Sequence, residues 1–293
     1  MTARARPSVR ATRRPPRRKR FGQHFLKPAW VTKVVAAIDV QPGDVFLEIG
    51  PGGGALTLPL AETGAPILAV DIDRDQVAAL APRIPANVTL MSGDFLEIDP
   101  TAFLSGLGPQ RPPHLPGEAP RRRFRIVGNL PYNLTSPILM RLIALHRLHE
   151  AFADATIMVQ REVADRLLAK PGRKDYGALT VFTQLHARVE KLLDLPPGAF
   201  KPPPRVRSSV VRLTFGPAAA RIADEVVFDR LVKALFSQRR KTLLNALKRF
   251  DATAPAVLAL AGLDGRRRPE TLQVKEIARL TELFTSVNRP AVL

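Results

Sequence analysis

The chain has 293 residues, more than a single domain usually contains, so we expect a large domain followed by a small one. The absence of cysteine excludes disulfides, zinc fingers and thiol nucleophiles, and no apolar run approaches the ~18 residues of a membrane span, so we expect a soluble, unexported protein. The net charge of +19 favours a phosphate-rich partner such as nucleic acid, although a GC-rich genome would also raise the arginine content.

The first 20 residues are strongly basic. They contain eight arginines, one lysine and no acidic residue, which predicts a disordered tail. A transit peptide has a similar composition, but Pro15 and Pro16 interrupt the amphipathic helix that it would form. The next stretch, FGQHFLKPAW, places aromatic side chains around His24, so it is either an apolar lid over a neighbouring site or core packing. A helix is predicted over residues 30–38.

The chain then passes from a predicted strand into a glycine-rich turn. The apolar run Val45–Ile49 carries Glu48 and predicts a buried parallel strand, and residues 55–60 predict the helix that follows. The glycines between them lack a Cβ and accept positive φ, so a ligand can lie against the main chain. This arrangement is typical of a nucleotide-type cofactor site.

Two cofactors fit this turn. Gly50, Gly52 and Ala55 satisfy the dinucleotide pattern G-x-G-x-x-[GA], and Asp71 follows about 20 residues later, as that motif requires for NAD. Glu48, however, would face a cation better than a pyrophosphate, and S-adenosylmethionine carries an ammonium and a sulfonium. We therefore favour S-adenosylmethionine as the cofactor.

Acidic residues follow two further predicted strands. Residues 65–70 predict a strand that ends at Asp71, where a doubly wound sheet binds a ribose diol. Residues 88–91 predict a strand followed by Asp94 and Phe95, a pair suited to the amino group and the face of an adenine ring. A single aspartate is more often a cap or a turn former, but acids at successive strand ends favour the cofactor site.

Residues 106–123 are rich in Pro, Gly and Arg and predict a long exposed loop. Arg121, Arg122 and Arg123 within it are candidate phosphate contacts. A fourth strand, residues 124–127, follows the loop.

The NLPY sequence after the fourth strand supplies the candidate catalytic residues. The exocyclic nitrogen of adenine is a poor nucleophile because its lone pair is delocalised into the ring. The side-chain oxygen of Asn129 and the carbonyl of Leu130 are acceptors that would pull its hydrogens out of that geometry, and Pro131 stiffens the turn. Tyr132 would stack on an adenine that has left its helix. An ordinary turn before a helix would look similar, and the position at a strand end favours the site.

The following segments complete the predicted sheet. Residues 155–160 and 187–195 predict two more strands, and residues 206–215 predict the last strand, antiparallel and at the sheet's end. The proline-rich residues 196–204 are expected on the surface beside the site.

From residue 217 onward the apolar periodicity is helical and predicts a small helical domain. Arg239, Arg240 and Lys241 interrupt its apolar face. A solvated face is the usual reading of such a run, but in a strongly basic protein we favour RNA contact.

Five motifs occur in chain order: RKRFGQHFL, LEIGPGGGALT, GNLPYN, FKPPPRVRSSVVRL and SQRRKT. Together they resemble the ribosomal RNA adenine dimethyltransferase family, and best the bacterial small-subunit dimethyladenosine transferases. The similarity runs from Arg18 to the end of the chain. It implies that the cofactor is lined by residues that match the family's motifs, namely His24, Leu26, Gly50, Asp71, Asp94 and Asn129. It also implies that Phe200 faces the target adenine opposite Tyr132.

The chain departs from the family pattern at three places. The family often has Asn where His24 stands and Glu where Asp71 stands, and both replacements keep a hydrogen-bonding group. Residues 106–123 are a longer insertion than usual, and this departure concerns the shape of the loop and not the chemistry.

The resemblance implies a Rossmann-like class I methyltransferase fold, with a seven-stranded, mostly parallel sheet and a small all-α domain. We expect a basic tail over residues 1–20, a methyltransferase domain over 21–216 and an RNA-contacting helical domain over 217–293. The implied activity is dimethylation, with S-adenosylmethionine, of two adjacent adenosines in the 3′-terminal hairpin of 16S ribosomal RNA. We expect a cytoplasmic monomer without a metal. The alternatives are a methylase of 23S ribosomal RNA of the macrolide-resistance type and a non-catalytic assembly factor.

Overall fold

The computed structural model describes residues 24–106, 123–238 and 240–287. Within these ranges the chain forms nine strands and eleven α-helices. The strands are β1 (Phe25–Leu26), β2 (Val45–Ile49), β3 (Ile67–Asp71), β4 (Val88–Ser92), β5 (Phe124–Asn129), β6 (Phe152–Gln160), β7 (Ala187–Leu195), β8 (Phe200–Lys201) and β9 (Ser208–Phe215). The helices are α1 (Pro28–Ile38), α2 (Thr57–Ala61), α3 (Arg74–Leu80), α4 (Thr101–Gly106), α5 (Thr135–His149), α6 (Arg161–Leu168), α7 (Ala178–His186), α8 (Glu225–Ser237), α9 (Leu243–Leu247), α10 (Ala254–Leu260) and α11 (Val274–Val287).

Seven strands form one sheet in the order β4-β3-β2-β5-β6-β9-β7. The first five of these strands are parallel to one another. The three interior ones, β2, β3 and β5, are buried along almost their whole length, as is usual for parallel strands that are covered on both faces. From β2 the chain first adds β3 and β4 on one side of the sheet and then returns to add β5 and β6 on the other side of β2. The strand order therefore reverses between β2 and β5. A ligand crevice forms at such a switch point, outside the carboxyl ends of the strands.

The sequence analysis placed the last strand at the end of the sheet, and this prediction is wrong. β9 is antiparallel, but it lies between β6 and β7, and β7 forms the edge. Its core-facing alternation does not distinguish the two places, because both put the same side chains on the same face. The burial of Val210, Val211 and Leu213, all 0% exposed, agrees with an interior position.

The C-terminal helices share a hydrophobic cluster with the helices that precede them. Phe228 and Leu231 of α8 and Phe284 of α11 lie in one cluster with Phe182 of α7 and Tyr176. A domain boundary at residue 217 therefore stays a prediction, since the packing continues across it. No helix in the described part of the chain is long and apolar enough to cross a membrane.

Candidate active site

A cavity of about 320 Å³ opens at the carboxyl edge of the parallel strands. The ends of β2, β3, β5 and β6 and the segment around β1 form its walls. The lining residues are His24, Phe25, Leu26, Glu48, Gly50, Pro51, Gly52, Gly53, Ala55, Leu56, Asp71, Ile72, Asp73, Asn129, Leu130, Pro131, Tyr132, Asn133, Leu134 and Met158. Most of the candidate cofactor and catalytic residues are therefore brought together in one crevice.

The turn after β2 gives the cavity its open floor. Gly50 has φ +74°, and a Cβ placed there would meet no atom within 4 Å, so the bare backbone faces free space. Gly52 has φ +52°, and its N–H donates to Oδ2 of Asp71 at 3.0 Å. Residues other than glycine rarely adopt either of these backbone conformations. The turn thus leaves room for a ligand against the main chain, as expected.

Glu48 is a buried carboxylate beside this turn. Its side chain is 2% exposed and lines the cavity, and Oε2 is buried without a hydrogen-bond partner among the described residues. Burial raises the pKa of Glu48 to about 7, and the charge of Asp71 adds to the rise while Thr57 opposes it. An unpartnered buried carboxylate oxygen is stabilised by a cationic ligand and repels a pyrophosphate. This fits the ammonium of S-adenosylmethionine better than NAD.

Asp71 ends β3 and is held in place by backbone donors. Oδ1 accepts from the N–H of Asp73 at 2.9 Å, while Oδ2 accepts from Gly52. Burial raises the pKa of Asp71, and the two backbone hydrogen bonds act against that rise. A carboxylate accepts about four hydrogen bonds, so both oxygens retain capacity for ribose hydroxyls. The next residue, Ile72, is 44% exposed in the cavity and offers an apolar surface to a flat ring.

The side chain of Asn129 is oriented by the segment that precedes α1. Its Nδ2 donates to the carbonyl of His24 at 3.0 Å. This hydrogen bond orients the amide group, whose oxygen Oδ1 can accept a hydrogen bond from a ligand in the cavity. The N–H of the adjacent Leu130 donates to the carbonyl of Met158 at 3.2 Å, which holds the start of the turn against β6. The two acceptors predicted from the sequence thus follow one another at the end of β5.

Tyr132 lines the same cavity, but its hydroxyl is occupied. Its OH forms a 2.8 Å hydrogen bond with Oγ of Ser208, and its ring stacks on that of His24 with centroids 6.1 Å apart and 27° between the planes. The ring is therefore fixed at the rim of the crevice. Its stacking on a target base stays a prediction.

Phe200 does not face the cavity, contrary to the expectation from the resemblance. Its side chain is 1% exposed and packs in a hydrophobic cluster with Leu26, Leu195 and Val210. The cause is the pairing of β8 with β1, in which Phe200 lies opposite Leu26. In this structure the face of the Phe200 ring is covered by the chain itself.

Asp94 and Phe95 lie outside the cavity lining as well. Phe95 is 4% exposed and belongs to the core under the sheet, so its face is not open to an adenine ring. Asp94 caps the local turn by accepting from the N–H of Leu96 at 2.9 Å. This contact is typical of a turn-forming aspartate, and the role of Asp94 in binding the adenine stays a prediction.

The predicted RNA contacts are only partly within the described residues. Arg121, Arg122 and Arg239 lie outside them. Arg123 is exposed and lies 3.8 Å from Glu150, and Arg240 and Lys241 are exposed in the turn between α8 and α9. Their role in binding RNA stays a prediction.

Several cavity residues were missed by the sequence reasoning. Phe25, Ile72, Met158 and Asn133 line the crevice, and none of them carries a charge or forms part of a glycine pattern. Ile72 was the one with a usable signal, since it directly follows the acid at the end of β3.

The fold and the site together define a class: a Rossmann-like methyltransferase, with a glycine turn, a carboxylate suited to a cation and a polar amide at the edge of one sheet. The family model described as ribosomal RNA adenine dimethylase matches residues 16–286. The chain belongs to this family of ribosomal RNA adenine dimethyltransferases and uses S-adenosylmethionine as its methyl donor.

Relatives and solved structures agree with this membership. The chain is 42% identical to the ribosomal RNA small subunit methyltransferase A of Aromatoleum aromaticum, over 92% of this chain and 94% of the relative. It is also 42% identical to the protein of that name from Moorella thermoacetica, over 90% and 91% of the two chains.

Two crystal structures share the fold over most of the chain. A dimethyladenosine transferase from Plasmodium falciparum superposes with a TM-score of 0.66 at 23% identity, covering 90% of this chain and 98% of that one. The 23S rRNA methyltransferase ErmE gives a TM-score of 0.60 at 24% identity, covering 89% and 99%. At these identities the similarity establishes the fold alone.

Proposed function

We propose that the protein dimethylates two adjacent adenosines in the 3′-terminal hairpin of 16S ribosomal RNA, within the small subunit or its precursor. The relatives that share 42% of the sequence are named for the small subunit, which supports this RNA over that of the large subunit. The net charge of +19 suits such a partner. We further propose that the protein acts as a cytoplasmic monomer.

The observation that carries the mechanism is the oriented amide of Asn129. Nδ2 donates to the carbonyl of His24, and both Asn129 and Leu130 line the cavity, which supports a role for Oδ1 and the carbonyl of Leu130 as acceptors there. These acceptors would take the two N6 hydrogens of an everted adenine and draw its lone pair out of conjugation. After the first transfer one N–H remains, so one acceptor suffices to hold the amine for the second.

The remaining residues would hold the donor. Oε2 of Glu48 would accept a hydrogen bond from the ammonium, and Asp71 would accept hydrogen bonds from the ribose hydroxyls. Ile72 would pack on the adenine ring. When bound, S-adenosylmethionine supplies an electrophilic methyl carbon on a sulfonium. The side chains that line the cavity supply positioning and charge, so we expect holding the reactants in line to provide most of the acceleration. No strong base is required, because the product ammonium loses its proton readily to solvent.

The test is to incubate the protein with labelled donor and with unmethylated small and large subunits separately, and to map the modified nucleotides. We expect N6,N6-dimethyladenosine at two adjacent positions of the small-subunit RNA. Label found only in the large subunit would favour the 23S methylase function that ErmE carries.

A second experiment separates the enzyme from a non-catalytic assembly factor. The variant Asn129→Ala should lose methyl transfer and keep subunit binding, while the matched control Asn245→Ala, on the exposed side of α9, should keep both. Unchanged methylation in Asn129→Ala would remove that residue from the mechanism.

A further inference from the structure

Residues 201–207 run from the last residue of β8 to the start of β9 beside the cavity and carry a concentrated positive charge. Lys201, Arg205 and Arg207 are all exposed. The sequence contains no acidic residue between Asp194 and Asp224, so no carboxylate along this stretch offsets them. We call this segment the basic rim loop.

The first end of the basic rim loop is fixed to the cavity wall. β8 pairs with β1, with Lys201 opposite Phe25. The Nδ1–H of His24 donates to the carbonyl of Pro202 at 2.8 Å, and the carbonyl of the same His24 accepts from Asn129. One residue therefore connects the loop to the proposed catalytic amide.

The other end is fixed to the opposite side of the crevice. Ser208 lies opposite Gln160 in the pairing of β9 with β6, at the carboxyl edge of the sheet. Its Oγ bonds the hydroxyl of Tyr132 at 2.8 Å, and the carbonyl of Arg207 accepts from the N–H of Arg161 at 3.0 Å. The loop is thus held at both ends by residues of the site.

The charged groups at the tip of the loop form no ion pair with the part of the chain that the structure describes. The ion pairs formed by the described residues include neither Arg205 nor Arg207. Two exposed guanidiniums on an anchored, proline-rich segment lose less conformational freedom on binding an anion than they would on a flexible loop. Guanidiniums also match phosphate in a bidentate geometry.

We propose that the basic rim loop binds the backbone phosphates that flank the target adenosine, through Arg205 and Arg207, and so holds the RNA while the base is everted into the cavity. The proposal rests on the RNA substrate of the family and on the proposed position of the target base. An everted base leaves its stack at a cost of a few kcal/mol, and contacts to the neighbouring phosphates offset that cost without reading the sequence. The loop is therefore a positioning element rather than a catalytic one.

The test compares charge removal at the loop with charge removal at the opposite edge of the sheet. Arg188 is the second residue of β7 and lies opposite Thr214, near the end of the sheet away from the cavity, and Arg221 lies six residues beyond the end of β9; both are exposed. The variant R205A/R207A and the matched control R188A/R221A remove the same charge. For each variant, we would measure the affinity for the ribosomal subunit that the wild type methylates, at several potassium chloride concentrations. We would also measure the affinity of each variant for S-adenosylmethionine.

We expect R205A/R207A to bind RNA on the order of tenfold more weakly and to lower the slope of log affinity against log salt by about 2. R205K/R207K should restore most of the slope, and affinity for S-adenosylmethionine should stay unchanged in every variant. An unchanged slope in R205A/R207A, an equal loss in R188A/R221A, or a loss of donor affinity would each overturn the proposal. Methylation of the large subunit alone would refute the proposed substrate, while the loop would still be tested on that RNA.

Discussion

Glu48 gives a sharp prediction, because an ionised carboxylate is needed for the donor and burial disfavours it. Its pKa is raised from 4.5 to about 7 by burial. At pH 6 only about one molecule in ten has Glu48 charged, and at pH 7.5 about three in four do. If the ammonium of the donor binds the charged form, the dissociation constant at pH 6 should be roughly eightfold larger than at pH 7.5.

The stability of the protein without donor should follow the opposite trend. A raised pKa in the folded state gives a contribution that is complete below about 4.5 and is lost as the pH rises through about 7. A shift of roughly 2.5 units corresponds to about 3 kcal/mol, so Glu48→Gln should be more stable than the wild type at pH 8 by up to that amount.

Isothermal titration calorimetry in two buffers of different ionisation enthalpy measures both the affinity and the protons released. The wild type should release close to one proton on binding the donor at pH 6. Glu48→Gln should bind more weakly at pH 7.5 and lose this proton release, so the difference between the two proteins isolates the contribution of Glu48. A wild-type affinity that is flat between pH 6 and 7.5, or the same pH profile in the variant, would refute the reasoning.

Three further predictions concern other parts of the molecule. Asn129→Ala should lower kcat at least 100-fold and leave the dissociation constant of the donor within about threefold, and a change confined to donor binding would contradict the role given to its oxygen. Gly128→Ala would place a Cβ 2.6 Å from the carbonyl oxygen of Ile49, so β5 would separate from β2 and the free energy of unfolding should fall by about 1–3 kcal/mol in thermal unfolding. The control Gly198→Ala, whose Cβ would have no atom within 4 Å, should lose little stability. Equal stabilities of the two variants would contradict this prediction. Burial lowers the pKa of His186 to about 4. The contribution of neutral His186 to the free energy of unfolding should therefore be complete above about pH 6.5 and fall by at most about 3 kcal/mol as the pH drops to 4. Chemical denaturation of His186→Gln should show a smaller fall over the same pH range.

The cavity could be predicted from the sequence because its residues follow strands. Gly50, Asp71 and Asn129 each come directly after an apolar run or end one, and parallel strands bring their carboxyl ends to one edge. Local patterns were therefore sufficient to place them together.

The errors arose where contacts connect distant parts of the chain. The pairing of β1 with β8 joins segments far apart in sequence and covers Phe200, and no local periodicity reports such a pairing. The interior position of β9 likewise depends on which neighbours it takes, since the alternation is the same in either place. For Asp94 the structure shows the bond that its carboxylate accepts from the N–H of Leu96, and its role in binding the adenine stays a prediction.

The account depends on one cavity holding both the donor and the target amine at the carboxyl edge of the sheet. A crystal structure of the protein with S-adenosylmethionine measures this most directly. We expect the ammonium beside Glu48, the ribose on Asp71 and the methyl carbon next to Oδ1 of Asn129. A donor bound elsewhere, or a methyl carbon remote from Asn129, would contradict it.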